Sequence, residues 1–297
     1  MQALPAAAFF LFLEAAVGGA IALFWVHLRG EVSRGFTLFT GVCLWILGAL
    51  AFWLRLAFPP VLVPGFGRAL VWFAAERALV LAFLVLLAAY LVGLRLSHAP
   101  ARTATPRTNG AVAGGVTSAP AAPRGGLHTI LAPLVPLLGL AGLWSAALVD
   151  PGGQLAGLGT PLAVLAGATA LGTALTGLSL GHWYLVTPSL SVRPLIRLSL
   201  ACVAALLAQI ILLPLLLLLP GTPPGAVASL LGPYALFFGV RVVFGLLVPL
   251  IAGLMTWRTA RIRSLDSATG LLYVVAALVI AGEIVARSLF FLTGVST

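Results

Sequence analysis

The sequence contains no lysine and very few charged residues of any kind. Charged residues make up only 7% of the 297-residue chain, and all of its basic residues are arginine, whereas hydrophobic residues make up 62%. Soluble globular domains carry about 25% charged residues. A chain with so few charges cannot cover its surface in water, which excludes an ordinary soluble fold.

Cysteine is also scarce, and the residues that carry redox or nucleophilic chemistry form no pattern. The two cysteines, Cys43 and Cys202, each lie inside an apolar run, and no CxxC pair is present. We therefore expect no disulfide framework and no iron–sulfur cluster within this chain. Since the sequence also lacks a nucleophile–base pair and a metal-ligand cluster, it predicts no metal site and no catalytic residue of its own.

The net charge is +10, and the arginines that produce it lie at positions that set membrane topology. Most arginines lie in short loops between apolar runs, and basic residues in such loops mark the cytoplasmic side of a membrane protein. We therefore expect no nucleic-acid partner. Counting arginines on each side predicts that both termini lie outside.

The apolar residues come in runs of about 20 residues, the length that crosses about 30 Å of hydrocarbon. No alternating strand pattern is present, and only a helical bundle then satisfies every backbone group in lipid. The sequence predicts an all-α, multi-pass protein of the bacterial inner membrane. Its eight predicted spans lie near residues 5–27, 36–57, 69–95, 128–149, 161–187, 198–219, 229–257 and 267–292.

One segment, 97–126, differs from the rest of the chain. It is rich in alanine, proline, threonine and glycine and has no apolar period. This composition is typical of a flexible linker. It divides the chain into residues 1–96, with three predicted helices, and residues 127–297, with five, and the arginine count places it in the cytoplasm.

Several charged residues fall inside the predicted spans, where each is a candidate for function because burying a charge in lipid is costly. Their depths place them together in the outer half of the membrane. These residues are Glu14, Glu76, Arg77, Arg241, Glu283 and Arg287. They favour either a polar pocket that exchanges protons beside a small redox molecule, or an ion-pair network that only fixes helix packing.

A second group of polar and aromatic residues lies near the cytoplasmic boundary. It consists of His27 and the run His182, Trp183 and Tyr184. The two histidines are candidate axial ligands of a b-type haem, and the group is also a candidate second quinone site. The alternative is that these side chains are interface anchors, a position in which aromatic residues are enriched.

The last predicted helix carries a motif. The stretch 282–291 reads Gly-Glu-Ile-Val-Ala-Arg-Ser-Leu-Phe-Phe. It resembles the final helix of the membrane-anchor subunits of dimethyl sulfoxide and polysulfide reductases, which often show Gly-Glu, two apolar residues, Gly-Arg and an aromatic pair. Here Ala286 stands where that family usually has glycine, and Phe291 where tyrosine is common. The first helix, with Glu14 followed by small residues, is loosely similar to the family's opening helix.

The resemblance implies a non-catalytic subunit that binds menaquinone or ubiquinone near the outer face. Such subunits exchange electrons with an iron–sulfur or cytochrome partner, here on the outer face. Carried over onto this sequence, the motif implies that Glu283 and Arg287 line or stabilise the quinone region. A b-type cytochrome and a structural or assembly subunit remain the alternative interpretations.

Overall fold

The structure is a computed structural model in which every regular element that is described is helical. It describes residues 3–60, 67–96, 127–149, 157–187, 190–218 and 220–297. Within these ranges, eight helical spans are long and apolar enough to cross a membrane. The predicted all-α bundle of eight spans is confirmed. The predicted linker, 97–126, lies outside the described residues, and the location of both termini stays a prediction.

Ten α-helices and one π-helical segment lie within the described ranges. The α-helices are α1 (Ala3–His27), α2 (Arg34–Ala57), α3 (Gly67–Leu96), α4 (Leu127–Val149), α5 (Gly159–Val186), α6 (Arg193–Leu218), α7 (Ala226–Leu231), α8 (Ala235–Val242), α9 (Val248–Arg261) and α10 (Leu265–Thr293). The π-helical segment, Val243–Leu247, joins α8 to α9, and the three together form the seventh span.

The seventh span begins later than the sequence predicts. A single helix was expected over 229–257, but the chain forms the short α7, turns at Gly232 and starts the span at Ala235. Pro233 explains the break, because a proline disfavours helical backbone in the residue before it and has no N–H to donate. Within the span, the amide of Val248 donates to the carbonyl of Val243, five residues earlier, which defines a π-bulge.

Helix α1 occupies the centre of the bundle. In its most apolar window, 83% of the residues are buried, against 28% in the seventh span, which faces outward. It packs against α2, α4, α5 and α10. A helix that is apolar on all sides is expected to be buried on all sides. Any charge on α1 is therefore surrounded by protein, and Glu14 lies near its middle.

Small residues let α1 and α5 approach at backbone contact. A Cβ atom added to Gly18 would lie 1.8 Å from the carbonyl oxygen of Ala168, and one added to Gly172 would lie 1.9 Å from the carbonyl carbon of Gly18. Small residues at helix crossings allow this approach in membranes, where packing rather than water drives association. Because Glu14 lies one turn before Gly18, the crossing also sets the position of its carboxylate.

Polar contacts tie the helices together at the end of the bundle where α1 finishes, which we call the His27 end. There Arg34 donates to the carbonyls of Leu94 and Arg95, and Glu31 pairs with Arg197. The end at which α1 begins, with Glu14 in the same half, we call the Glu14 end. All the ionic contacts described next lie in that half.

Candidate functional site

Four buried charges form a continuous chain of ion pairs, which we call the charge network. Glu14 on α1 lies 2.8 Å from Nε of Arg287, and the other side of Arg287 donates to Glu283 at 3.2 Å. The second oxygen of Glu283 accepts from Arg241 on α8, also at 3.2 Å. Each of these side chains is at most 2% exposed. The structure thus brings together four of the six predicted pocket residues.

Glycines allow the charged side chains and helices of the network to approach closely, because a side chain at these positions would clash with them. A Cβ atom on Gly167 of α5 would lie 2.7 Å from a carboxylate oxygen of Glu283. One on Gly245 would lie 2.8 Å from the Cα atom of Gly282, so the seventh span and α10 touch there. Arg241 lies one turn before this crossing and Glu283 directly after it, and the crossing therefore brings the two within reach of each other.

The network extends to a residue that the sequence analysis did not single out. Arg241 donates to Oε1 of Gln209 on α6 at 2.6 Å and to the carbonyl of Thr297 at 3.3 Å. Gln209 is 5% exposed although it is polar and lies within an apolar span. It is the only glutamine within a predicted span, and this could have marked it as a candidate from the sequence. It was missed because an uncharged residue does not stand out in a search for buried charge.

Not every polar atom of this region has a hydrogen-bond partner among the described residues. Nε2 of Gln209 and Nε of Arg241 are both buried without one. Arg287 meets Glu14 at ion-pair distance, but its Nε–H group is not aligned with the carboxylate, and neither oxygen of Glu14 accepts a well-formed hydrogen bond. Buried groups in proteins are nearly always satisfied. The unpartnered atoms therefore mark a region with capacity for a further polar partner.

A cleft of about 210 Å³, including its open mouth, lies beside Arg241 and Gln209. The space in it that a water-sized molecule can occupy is that of about one water. Its lining combines polar residues with three leucines from α6. The lining residues are Ala163, Gln209, Leu212, Leu213, Leu216, Arg241, Ser296 and Thr297. The cleft thus joins the apolar surface of α6 to one end of the charge network.

The other acid of the predicted pocket, Glu76, belongs to a separate buried pair. Arg55 on α2 binds both of its oxygens, at 2.7 and 2.6 Å, and the Arg55 guanidinium lies 4.5 Å from the centre of the Phe9 ring. Arg77, one of the three arginines predicted for this pocket, is instead exposed and lies over Phe73. Successive residues of a helix point about 100° apart, so Glu76 and Arg77 do not face the same neighbour.

The expectation that Arg77 helps neutralise the buried acids is therefore corrected to Arg55. Arg55 lies near the end of the second predicted span and was not among the six charged residues singled out within the spans. Burial of three acids and three arginines was predicted, and the described spans bury that number of each, with Arg55 in the place of Arg77.

Replacing Arg55 with leucine should destabilise the protein far more than replacing Arg77. Without Arg55, the buried Glu76 carboxylate loses its bidentate partner, and breaking such a pair costs about 3–5 kcal/mol. Arg77→Leu removes an exposed side chain, and we expect its midpoint of unfolding to stay near that of the unmodified protein. Thermal unfolding in detergent, followed by circular dichroism, measures both. Equal effects of the two substitutions would contradict the assignment of Arg55 as the partner.

The two predicted histidines contact different helices. Nδ1 of His27 lies 3.1 Å from the hydroxyl of Thr37 on α2, and its ring meets that of Tyr90 edge-on. His182 is exposed and lies 3.4 Å from the hydroxyl of Tyr273 on α10. A haem held by both imidazoles requires the rings to face one another. It stays a prediction, and these contacts lend it no support.

The aromatic residues beside His182 are held by contacts within the protein. Trp183 packs edge-on against Phe36, and its ring covers Gly35 at the start of α2. Tyr184 is buried and donates its hydroxyl hydrogen to the carbonyl of Ser191. Among the described residues, no three histidine, cysteine, aspartate or glutamate side chains gather as a metal site would require. A second quinone site at this end remains a prediction.

The comparisons with known proteins do not assign the chain to a family. A scan against models of protein families finds no match, and a search of curated proteins finds none either. The helical spans make the chain a multi-pass membrane protein.

Proposed function

We propose that this chain is a quinone-interacting membrane subunit of a respiratory oxidoreductase complex. The observation that carries the proposal is the charge network, Glu14–Arg287–Glu283–Arg241, buried inside apolar helices and bordered by a cleft. Quinones dissolve in lipid, carry oxygen atoms that accept hydrogen bonds, and exchange protons together with electrons. The network offers arginine donors and two carboxylates in a place that only a lipid-soluble ligand readily reaches.

The resemblance of the last helix supports the same proposal from independent information. It was drawn from the order of residues along one segment, and it implies that Glu283 and Arg287 lie in the quinone region. In the structure these two residues are the middle members of the charge network, and each bonds to the other and to a second helix. The two residues that the motif selects therefore lie within the charge network.

The partner follows from what this chain lacks. Electrons taken from a quinol must leave through a redox centre, and the two cysteines lie on separate helices, α2 and α6, without a cluster motif. We therefore propose an iron–sulfur or cytochrome subunit as the electron partner. Because the charge network lies in the half that the arginine count places outside, the partner would dock on the outer face.

A structural or assembly subunit is the second candidate, and one observation favours it. The buried charges of the described spans sit in ion pairs, and an acid–arginine pair that only orders helix packing would have the same appearance. Buried pairs fix specific packing in some proteins without adding stability or function. This candidate predicts that the purified protein contains no bound quinone.

The experiment that separates the candidates is measurement of bound quinone. The protein is purified from membranes in a mild detergent, its lipids are extracted, and menaquinone and ubiquinone are quantified by chromatography. We expect close to one quinone for each chain. A reduced-minus-oxidised visible spectrum of the same sample tests for haem, whose α-band would favour the cytochrome alternative. Absence of both quinone and haem would support the structural subunit.

Replacing Glu283 and Arg287 together with leucine should remove most of the bound quinone. The double substitution removes one positive and one negative charge, so the net charge of the bundle is unchanged. The matched control replaces Glu31 and Arg197, an ion pair at the His27 end, with leucine. Both variants are compared by elution volume and circular dichroism before extraction. Undiminished quinone in a folded Glu283/Arg287 variant would refute the role of these residues.

A further inference from the structure

We infer that the cleft beside Gln209 holds an oxygen atom of the quinone head group, with the amide of Gln209 as its hydrogen-bond donor. The inference rests on the proposed function and adds the place of binding and a residue that neither the motif nor the buried charges select. It combines the cleft, the free donor at its edge, the apolar surface beside it and the balance of charge around it.

The donor is fixed by the partner of the same amide group. Arg241 is a donor only, so the atom of Gln209 that it bonds at 2.6 Å is the carbonyl oxygen. The NH₂ group of Gln209 is then left with no hydrogen-bond partner in the described residues, although it is buried. The residue lines the cleft. An acceptor that enters the cleft would satisfy a donor that is otherwise costly to bury.

The surface next to this donor suits an apolar tail. Leu212, Leu213 and Leu216 line the cleft from α6, in the turns that follow Gln209. Neighbouring leucines of the same helix, such as Leu215, are exposed on the outside of the bundle, where lipid lies. A ligand with a polar head and a long apolar tail would therefore find the head position and the tail position along one helix.

The balance of charge selects a neutral head group rather than an anionic one. Arg241 is paired with Glu283, and Arg287 is shared by Glu283 and Glu14, so the two arginines and two acids of the network cancel. A phosphate head group would bring an uncompensated negative charge into this half of the bundle, which is costly inside a membrane. A quinone oxygen accepts a hydrogen bond without adding charge.

The cleft is too small to enclose the whole quinone head group. The cleft accommodates about one water molecule, which is the space of a single oxygen atom with its contacts rather than of a ring. The ring itself would lie outside this space, against the leucines of α6. Only one of the two quinone oxygens would reach Gln209 and the charge network.

Substituting Gln209 with methionine tests the inference, because methionine keeps the length of the side chain and removes the amide. The matched control is Leu206→Met, at a fully buried position one turn earlier on α6 that does not line the cleft. We expect Gln209→Met to retain less than a fifth of the quinone bound by the unmodified protein, and Leu206→Met to retain nearly all of it. The readout is extracted quinone for each folded chain.

A labelling experiment on the unmodified protein makes the test independent of folding of the variant. An azido-ubiquinone with a short tail is photoactivated in the detergent-solubilised protein, and the labelled peptide is identified by mass spectrometry. We expect label within residues 209–216 or 290–297, and competition by excess decyl-ubiquinone. Label confined to the region of Trp183 would overturn the inference.

The outcomes separate the inference from the proposed function. Quinone in the unmodified protein that is fully retained in Gln209→Met would overturn the inference and leave the proposed function standing. Absence of quinone from the unmodified protein would overturn both. If Gln209→Met lost bound phosphatidylglycerol but kept its quinone, the cleft would be a phospholipid site, and this result would also overturn the inference.

Discussion

Replacing Glu283 with leucine should destabilise the protein by about 3–5 kcal/mol, the usual cost of removing one member of a buried ion pair. Glu283 accepts from both Arg241 and Arg287, and only Glu14 would remain to balance the two arginines. The expected observation is a lower midpoint in unfolding by sodium dodecyl sulfate in mixed micelles, followed by circular dichroism.

Two further variants show whether the loss comes from unbalanced charge. Asp266→Leu removes an exposed acid from the first turn of the same helix and should leave the midpoint nearly unchanged. Arg241→Leu combined with Glu283→Leu restores the balance, because Glu14 and Arg287 still pair. We expect this double variant to recover much of the lost stability, as apolar replacement of a whole buried pair is often neutral. A double variant less stable than Glu283→Leu would contradict this account.

The second large effect is expected at the crossing of α1 and α5. Gly18→Ala would place a methyl group 1.8 Å from the carbonyl oxygen of Ala168, and backbone atoms have no rotamer by which to move away. The helices must separate by more than an ångström, and overpacking of this kind costs about 3 kcal/mol or more, at the upper end of its usual range. Thermal unfolding in detergent would show the loss.

The same substitution at a glycine with open space provides the control. A Cβ atom added to Gly270 of α10 meets no atom within 4 Å. Since alanine is favoured over glycine in a helix by about 1 kcal/mol, Gly270→Ala should be neutral or slightly stabilising. The two alanine variants are thus expected to shift stability in opposite directions. Equal stability of Gly18→Ala and Gly270→Ala would contradict the close approach of α1 and α5 at Gly18.

The span positions were predicted well because they depend on local properties. An apolar run of the right length forms a helix in lipid whatever its neighbours are, since all its backbone hydrogen bonds close within the segment. The exception was the seventh span, where Gly232 and Pro233 interrupt an apolar run that hydropathy alone reads as continuous. Here backbone chemistry, rather than hydrophobicity, decided where the span starts.

The depth of the charged residues was also readable, but their partners were not. Rise along a helix is 1.5 Å per residue, so distance from the end of an apolar run places Glu14 and Glu76 in the same half. The direction in which each side chain points depends on how the helix is rotated against its neighbours. This is why Arg77 was chosen and Arg55 was missed, although the two lie in the same half of the bundle.

By itself the sequence determined that this chain is a helical, multi-pass membrane protein with charged residues buried in one half. Both facts follow from composition and from length along single segments. Only the tertiary structure decided which charges meet, that Gln209 joins Arg241, and that a cleft opens beside them. The physical reason is that these contacts depend on helix rotation and on close crossings at Gly18 and Gly245, which many residues distant in the sequence determine together.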